Sequence, residues 1–539
     1  MSVAGFSPAK SRARPRPRLR RLAAWLAALA SDRAASLWLV IGFAVLHAVL
    51  WTLILIRLKA AQDIHFDVAE AYAWGQKFQL GYGKHPPLSG WIAGLWFWIF
   101  PAADWATYAL AMATLGCGMV ICWFVGLRVV DRRRAFFTVL MLAIYPIFNF
   151  KGFKYNPDLL QLVTLPLVVL AYLHAFEKRT ARAGFWLGLA GALALMTKYW
   201  VLTMIGAVGI AALLHPARWL FLRSPAPWVA IATLVAAMLP HLWWLKEVDF
   251  APLTYAGDVY ALTSRAQCLQ LVIGYIGHNL ALLALPVALA ALVLARTPRW
   301  WAARVRNPLT SAAWSRGPNT GVNVAQALNI WIIQAVVAIG PPLGALAFIV
   351  YLKTDWGISL FFLTPLALVA IPALRLPKIA LAHLAAVWLV LTLAVLALSP
   401  YIAAREMAEN PNGASGYSAR SELARELTQA WHERFGSRWA VVAGTTEICE
   451  PMTFYSPDHP APYTPGELWA SGLTSLEEAR RLGFIGICDT SDGRLPSCEA
   501  WMAANAANAE HIVINTQRFF QGHAGPRATW KVYIVPPAK

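Results

Sequence analysis

The sequence predicts an α-helical polytopic membrane protein of about eleven spans that ends in a small α/β domain. Three observations predict it. Of 539 residues, 58% are hydrophobic and only 14% charged, whereas ordinary soluble chains carry about 25% charged residues. Apolar stretches approaching the ~20 residues needed to cross a bilayer recur between residues 37 and 399. Beyond residue 400 the chain turns polar, punctuated by Gly, Pro and Ser. This composition excludes disordered, collagen-like and disulfide-scaffold chains. The net charge of +19 reads as basic loops beside a membrane, with no nucleic-acid partner, and the 26 tryptophans suit two membrane interfaces.

Taken in order, residues 1–35 form a basic arm carrying Arg12, Arg14, Arg16, Arg18, Arg20 and Arg21, expected to be solvated on the cytoplasmic side. The apolar stretch 22–30 has the charge flank of a signal peptide. A full span follows at once without a convincing cleavage site, so an uncleaved anchor is expected. Spans are expected at 37–58, 105–130, 135–150, 159–176, 183–197, 199–214, 227–245, 269–295, 326–351, 357–373 and 379–399. Residues 88–101, rich in Trp and Phe and closed by Pro101, are too short to cross and are expected to lie along the interface.

Basic residues cluster in alternate loops: Arg132, Arg133 and Arg134; Lys178, Arg179 and Arg182; Arg218 and Arg223; Arg296, Arg299, Arg304 and Arg306; Arg375 and Lys378. The positive-inside rule makes that side cytoplasmic and puts the C-terminus outside. The expected division is therefore an arm (1–35), a transmembrane domain (36–400) whose first external loop is 59–104, and an external α/β domain (401–539). Within the last, 439–444, 483–488 and 529–535 read as strands, and 418–435 and 475–482 as helices. Its cysteines are Cys449, Cys488 and Cys498. One disulfide is expected on an oxidising side, with Cys488 and Cys498 the preferred pair. Cys117, Cys122 and Cys268 lie in or beside spans and read as small packing residues.

The chemistry concentrates in the first external loop. If 66–78 is helical, Asp67, Glu70, Trp74 and Lys77 share one face by their three- and four-residue spacing. Carboxylates beside a low-dielectric boundary are expected to have raised proton affinity, which suits a general base. The plainer alternative is an interfacial helix with its polar face in water. In the following turn, 81–87, Lys84 and His85 are candidate phosphate ligands, while Pro86 and Pro87 forbid helix there and aim the next segment. Other external cations are Lys151, Lys154, Lys198, Lys246, Arg265 and Lys353. Lys198 stands out because it lies between two apolar spans, where an ionisable group is costly. Several cations on a face that also bears carboxylates point to a phosphate-bearing ligand. Asn156-Pro157 reads as an N-cap and first helical residue, and Asp158 is either part of that cap or a direct participant. There is no Walker loop, no zinc-type cysteine pairing, no Gly-x-Ser-x-Gly elbow and no His-Glu-x-x-His, so ATP-driven pumping, zinc hydrolysis and serine hydrolysis lack support.

Here the chain resembles the membrane glycosyltransferases of the C-type fold. That group includes the dolichyl-phosphate-mannose protein mannosyltransferases, the lipid A aminoarabinose transferases and the rhizobial core galacturonosyltransferases. The likeness rests on Asp67-Val-Ala-Glu70 through Gln76, on Gly81-Tyr82-Gly-Lys84-His85-Pro-Pro87, on Met196-Thr-Lys198-Tyr199, and on Lys353-Thr-Asp-Trp356 ahead of Phe361-Phe-Leu-Thr-Pro365. It covers roughly 60–400. Where the group carries an acid directly after the Asp, this chain has Val68.

The resemblance implies inverting transfer of one sugar from a polyprenyl-phosphate donor to a glycolipid or protein acceptor, at the outer face of a bacterial inner membrane. Asp67 and Glu70 would be catalytic, and Lys84, His85, Lys198 and Lys353 would hold the donor phosphate. Tyr82, Asp158, Tyr199 and Trp356 would be substrate contacts. No cofactor is implied with certainty, and a divalent metal stays open. A secondary transporter or a non-catalytic envelope-assembly subunit are the rival classes, although no paired inverted halves are visible.

Overall fold

The computed structural model describes residues 17–295, 321–409, 415–467 and 473–538. Arg12, Arg14 and Arg16 of the arm, and Arg296, Arg299, Arg304 and Arg306, lie outside them. The chain is built mostly of helices, in the order α1 (Pro17–Ser31), α2 (Ala35–Leu58), α3 (Phe66–Gly75), α4 (Leu88–Ile99), α5 (Asp104–Val129), α6 (Arg132–Ile144), α7 (Pro157–Lys178), α8 (Ala181–Leu195), α9 (Leu202–Leu214), α10 (Arg218–Leu222), α11 (Pro225–Glu247), α12 (Ala251–Tyr260), α13 (Arg265–Ala295), α14 (Val324–Phe348), α15 (Thr364–Val369) and α16 (Lys378–Ala408).

Each of the expected spans meets a helical stretch, but they are not equal. Among the described residues seven helices are long and apolar enough to cross a membrane: α2, α5, α7, α11, α13, α14 and α16. An eighth span arises if α6 and the short helical turns of Pro146–Phe153, bent by 80°, count as one. The bend falls at Pro146, which supplies no N–H to continue the ladder. The stretches expected at 183–197, 199–214 and 357–373 are shorter. In the last, Thr354–Leu363 winds as a tight 3-10 helix before α15. These interruptions deliver Asn149, Lys151, Lys154 and Asn156 to one end of the bundle, since irregular backbone is tolerated near membrane depth where it lines a cavity.

The outer faces are apolar. On α11, Trp228, Ile231, Val235, Leu239 and Leu242 are exposed at helical spacing; such a face suits lipid and would be anomalous in water. Inside, small residues bring backbones close. A Cβ added at Gly118 on α5 would sit 2.3 Å from the Leu162 carbonyl oxygen of α7, and one at Gly184 on α8 would sit 2.2 Å from the Ala226 carbonyl oxygen of α11. Gly184→Leu is therefore expected to push α8 from α11 at a cost of about 1–3 kcal/mol. A thermal melt in detergent checks this, and an unchanged midpoint would refute the close contact.

Two expectations need correction. The arm is not wholly solvated: from residue 17 it forms α1, which buries Ala23, Ala27 and Ala30 against α2 and α16. The stripe repeats every three to four residues, so α1 has an apolar face that the Arg run masks in the sequence. The first-loop helix ends at Gly75, and residues 68–75 are all buried. Glu70 and Trp74 do not face water, because a helix from the C-terminal part of the chain packs over this loop.

That part contains α17 (Arg420–Phe435), β1 (Val441–Ala443), α18 (Thr446–Tyr455), β2 (Ala461–Tyr463), α19 (Leu476–Leu482), β3 (Phe484–Asp489), α20 (Leu495–Asn505), β4 (Glu510–Phe520) and β5 (His523–Val535). The five strands form one mixed sheet in the order β2-β1-β3-β5-β4. The β2-β1-β3 half is parallel, and β5 runs antiparallel to both β3 and β4. Alternation along β3 serves two cores: Ile485 and Ile487 pack with Leu427 and Trp431 of α17, whereas Phe484 and Cys488 pack with Ala479 of α19 and Met502 of α20. Cys488 and Cys498 form a disulfide that ties β3 to α20.

The sheet is anchored to the bundle through the first loop. Asp63 accepts from the Arg420 backbone N–H at 2.8 Å and pairs with the Arg518 guanidinium at 2.5 Å. The Tyr455 hydroxyl of α18 accepts from the Ile64 N–H at 2.8 Å. Tyr72 of α3 packs edge-on against Phe454 of α18 and bonds His459 at 3.1 Å.

Candidate active site

The site is assembled around Asp67. His65 caps α3 and accepts the Asp67 backbone N–H at Nδ1, 3.2 Å away. This leaves Nδ1 without a proton. Burial lowers the His65 pKa to about 4, against the opposing pull of Asp67, so the ring is neutral near pH 7. The Asp67 carboxylate instead meets two groups from the loop ahead of α7. Asn156 donates from Nδ2 to Oδ2 at 2.8 Å, and the Lys154 ammonium lies 3.5 Å from the same oxygen. Asn156 also caps α7, accepting the Leu159 N–H at 2.9 Å through Oδ1. One amide thus fixes both the start of a span and the acid of the first loop.

This arrangement overturns the expected raised proton affinity of Asp67. Burial does push it up, but His65, the Lys154 and Lys84 charges and the Asn156 hydrogen bond outweigh burial and hold the carboxyl well below the usual range. With His65 neutral, the cation that matters most is Lys154.

Asp67 opens onto a cleft of about 250 Å³. Its walls include Lys59, Lys151, Lys154 and Lys353, together with Asp158 and Asp355. Asp158 pairs with Lys198, whose ammonium is 2.8 Å from both carboxylate oxygens and stands 5.2 Å from the Trp356 ring centre. Asp355 lies 3.8 Å from Lys151 and 3.4 Å from His278. Among the described residues Lys353 has no carboxylate within 4 Å.

Of the residues singled out in the sequence, Asp67, Asp158 and Lys353 line this cleft, and Lys198 adjoins it through Asp158. Others face elsewhere. Glu70 and Lys84 form a buried ion pair at 2.5 Å, so Lys84 is neutralised before any phosphate arrives. His85 is half-buried, and its Nδ1, closed off from solvent, has no hydrogen-bond partner. Burial and then the Lys198 and Lys84 charges push its pKa far down, so it brings no positive charge. Tyr82 stacks on Trp74, ring centres 5.1 Å apart, and donates to the Lys77 carbonyl at 2.7 Å. Tyr199 stacks on His241 and bonds its Nε2 at 3.1 Å. Trp356 flanks Lys198 and packs on Trp200. Lys77 reaches the Leu473 carbonyl.

Sequence reasoning missed two partnerships. Lys154 was only one of several cations and Asn156 only a cap; the contact to Asp67 spans most of the first hundred residues of the bundle. Glu450 was not singled out at all. It is buried on α18, and one oxygen, Oε2, lacks a hydrogen-bond partner. Burial, then the Glu70 charge, raises its pKa well above normal. The signal was an acid between Ile448, Cys449, Pro451 and Met452. Burial likewise raises Glu70, to about 7, against the pull of Lys84. Two buried carboxylates around one ammonium must retain a proton to stay neutral.

A divalent metal does not fit these groups. Asp67 and Glu70 each already face a lysine, and among the described residues no cluster of three or more His, Cys, Asp or Glu is suited to hold an ion.

The comparisons bear on this scaffold. Residues 84–244 match the family model described as dolichyl-phosphate-mannose-protein mannosyltransferase. The matched segment contains Lys84, His85, Lys154, Asp158 and Lys198, and starts after Asp67 and Glu70. ArnT from Cupriavidus metallidurans, solved in the apo state, superposes with a TM-score of 0.57 at 13% identity, covering 93% of this chain and 98% of that one. The architecture is thus that of the C-type membrane glycosyltransferases, a polytopic helical bundle carrying a small C-terminal sheet. In sequence, the lipid A galacturonosyltransferase RgtD of Rhizobium johnstonii is 27% identical over 233 residues. The match spans 41% of this chain and 46% of that relative.

Proposed function

We propose that the protein is a glycosyltransferase that moves one sugar from a polyprenyl-phosphate donor to a lipid or glycolipid acceptor, with inversion, at the outer face of a bacterial inner membrane. The observation that carries this reading is an acid and a lysine sharing one cleft, Lys154 lying 3.5 Å from Asp67, with Lys353 in the same wall. The family likeness and the relative's substrate class support it.

In the reaction the acceptor oxygen forms a bond to the anomeric carbon, and the bond from that carbon to the phosphate oxygen breaks. The acceptor's proton goes to Asp67, and the negative charge goes to the departing polyprenyl phosphate. A strongly ionised carboxylate is always in the accepting state but is a weak base. The shared lysine resolves this. As charge builds on the phosphate, Lys154 and Lys353 stabilise it. Lys154 then acts less on Asp67, whose burial raises its proton affinity when the proton must be taken. Asp158 keeps Lys198 extended beside Trp356 at the rim.

Lys154→Met tests this coupling through pH. In the native protein Asp67 titrates below its ordinary range, so it is ionised from pH 5 to 8 and sets no acid limb there. Without Lys154, burial is less opposed and the Asp67 pKa rises. The acid limb of kcat/KM is expected to move upward, with a rate loss of about 10²–10³-fold. An unmoved limb at normal rate would count against the shared lysine. The function itself is tested by transfer of labelled sugar from a polyprenyl-phosphate carrier in detergent, joined to mass spectrometry of envelope glycolipids with and without the protein. Transfer without a sealed compartment excludes a transporter. No transfer, and no missing sugar, would refute the proposal.

A further inference from the structure

A second cavity, of about 960 Å³, lies far from the cleft. The helix α7 touches both. Its first turn brings Asp158 to the cleft, and its last turns bring His174 and Glu177 to the cavity, about 25 Å along the axis at 1.5 Å per residue. The cavity therefore opens at the arginine-rich end of the bundle.

It is polar at one end and greasy along its length. Arg33 ahead of α2, Arg128 in the last turn of α5 and Arg132 at the start of α6 line the polar end. Glu177 is the acid among the lining residues, and it bonds Arg128 at 3.1 Å. Three arginines against one glutamate leave an excess of positive charge, and among the described residues neither Arg33 nor Arg132 forms an ion pair within 4 Å. The Nδ1 atom of His174 is buried without a partner.

Deeper in, α7 contributes Leu167, Leu170 and Ala171, and α8 contributes Trp186, Leu189 and Leu193. Both sets follow helical spacing, so each is a continuous wall, and from Leu167 to Glu177 it runs about 15 Å. The opposite face of α8 is occupied: Gly184 and Gly188 press on Ala226 and Ala230 of α11.

We propose that this cavity binds one anionic phospholipid, its phosphate among Arg33, Arg128 and Arg132 and an acyl chain along the α7 and α8 walls. Basic pockets between spans attract anionic head groups. An inorganic phosphate would use the arginines and leave the apolar wall without a role. This site is separate from the cleft and does not depend on the proposed transfer.

The test uses the full chain in detergent and native mass spectrometry, with phosphatidylglycerol, phosphatidylcholine or inorganic phosphate added. One phosphatidylglycerol is expected to stay bound, at least tenfold in preference to phosphatidylcholine. The double variant Arg33→Ala with Arg132→Ala should lose about tenfold in retention, and the Lys versions should keep most of it. Leu189→Trp, which fills the wall and keeps the charge, should expel the lipid too, and it guards against a misfolded arginine variant. Equal retention of both lipids, unchanged retention in the variants, or displacement by inorganic phosphate at equal concentration would each overturn the proposal.

Discussion

Asp67→Asn is expected to remove sugar transfer almost completely, by about 10²–10⁴-fold in kcat, the range a positioned base contributes. The substitution keeps the shape of the side chain and can still bond Asn156. It removes the negative charge that faces Lys154 and the lone pair that would take the proton. Abundance and insertion should be unaffected, because Asp67 is not the cap of α3; His65 is. The decisive measurement is turnover of a purified, monodisperse variant with a labelled donor. Turnover near the native rate would dismiss Asp67 as the base. A raised KM at normal kcat would instead make it a binding group.

The largest effect on stability is expected from Lys84→Met. Its side chain is 12% exposed and that of its partner Glu70 only 4%, with the charges 2.5 Å apart. The Lys84 charge also acts on the buried Glu450. Removing one partner of a buried pair costs about 3–5 kcal/mol, because the remaining charge is left uncompensated. The sign with pH follows from the carboxylates. Without the lysine their folded pKa values rise further above the unfolded value of about 4.3. The folded state then holds extra protons, so the deficit is smallest below about pH 4 and grows as pH rises. Thermal midpoints of native protein and variant at pH 5 and pH 8 measure it. The companion Glu70→Gln with Lys84→Met should recover much of the loss. A deficit that is equal at both pH values would mean that the carboxylates are not its source.

These two expectations draw on different kinds of information. Asp67 was singled out by its place in a first-loop segment that resembles the glycosyltransferase motif, and the structure puts it in a cleft with lysines. Lys353 was one of several external cations and part of a second resembling segment, and it lines the same cleft. Lys84 was read as a phosphate ligand in the 81–87 turn, and the structure pairs it with Glu70 instead. Its partner, three residues after Asp67, was already in view, but nothing local said that the two side chains would meet under a lid. His85 was misread as a cation for the same reason: burial, invisible in one dimension, lowers its pKa. The β4–β5 hairpin escaped notice over 510–520 because its outer strand alternates weakly. Val513 and Phe519 are exposed and carry no core signal.

Composition and apolar run length alone determined that the chain is a helical membrane bundle with a polar C-terminal part, because transfer of backbone and side chains into lipid depends on local content. They also determined where acids and lysines enter the sequence. Tertiary structure decided which of them meet. Lys154 reached Asp67 because the chain turns sharply at Pro146, and Glu450 reached the first loop because α18 lies on α3. Ionisation of buried groups depends on distances of a few ångströms, and only the folded chain sets those.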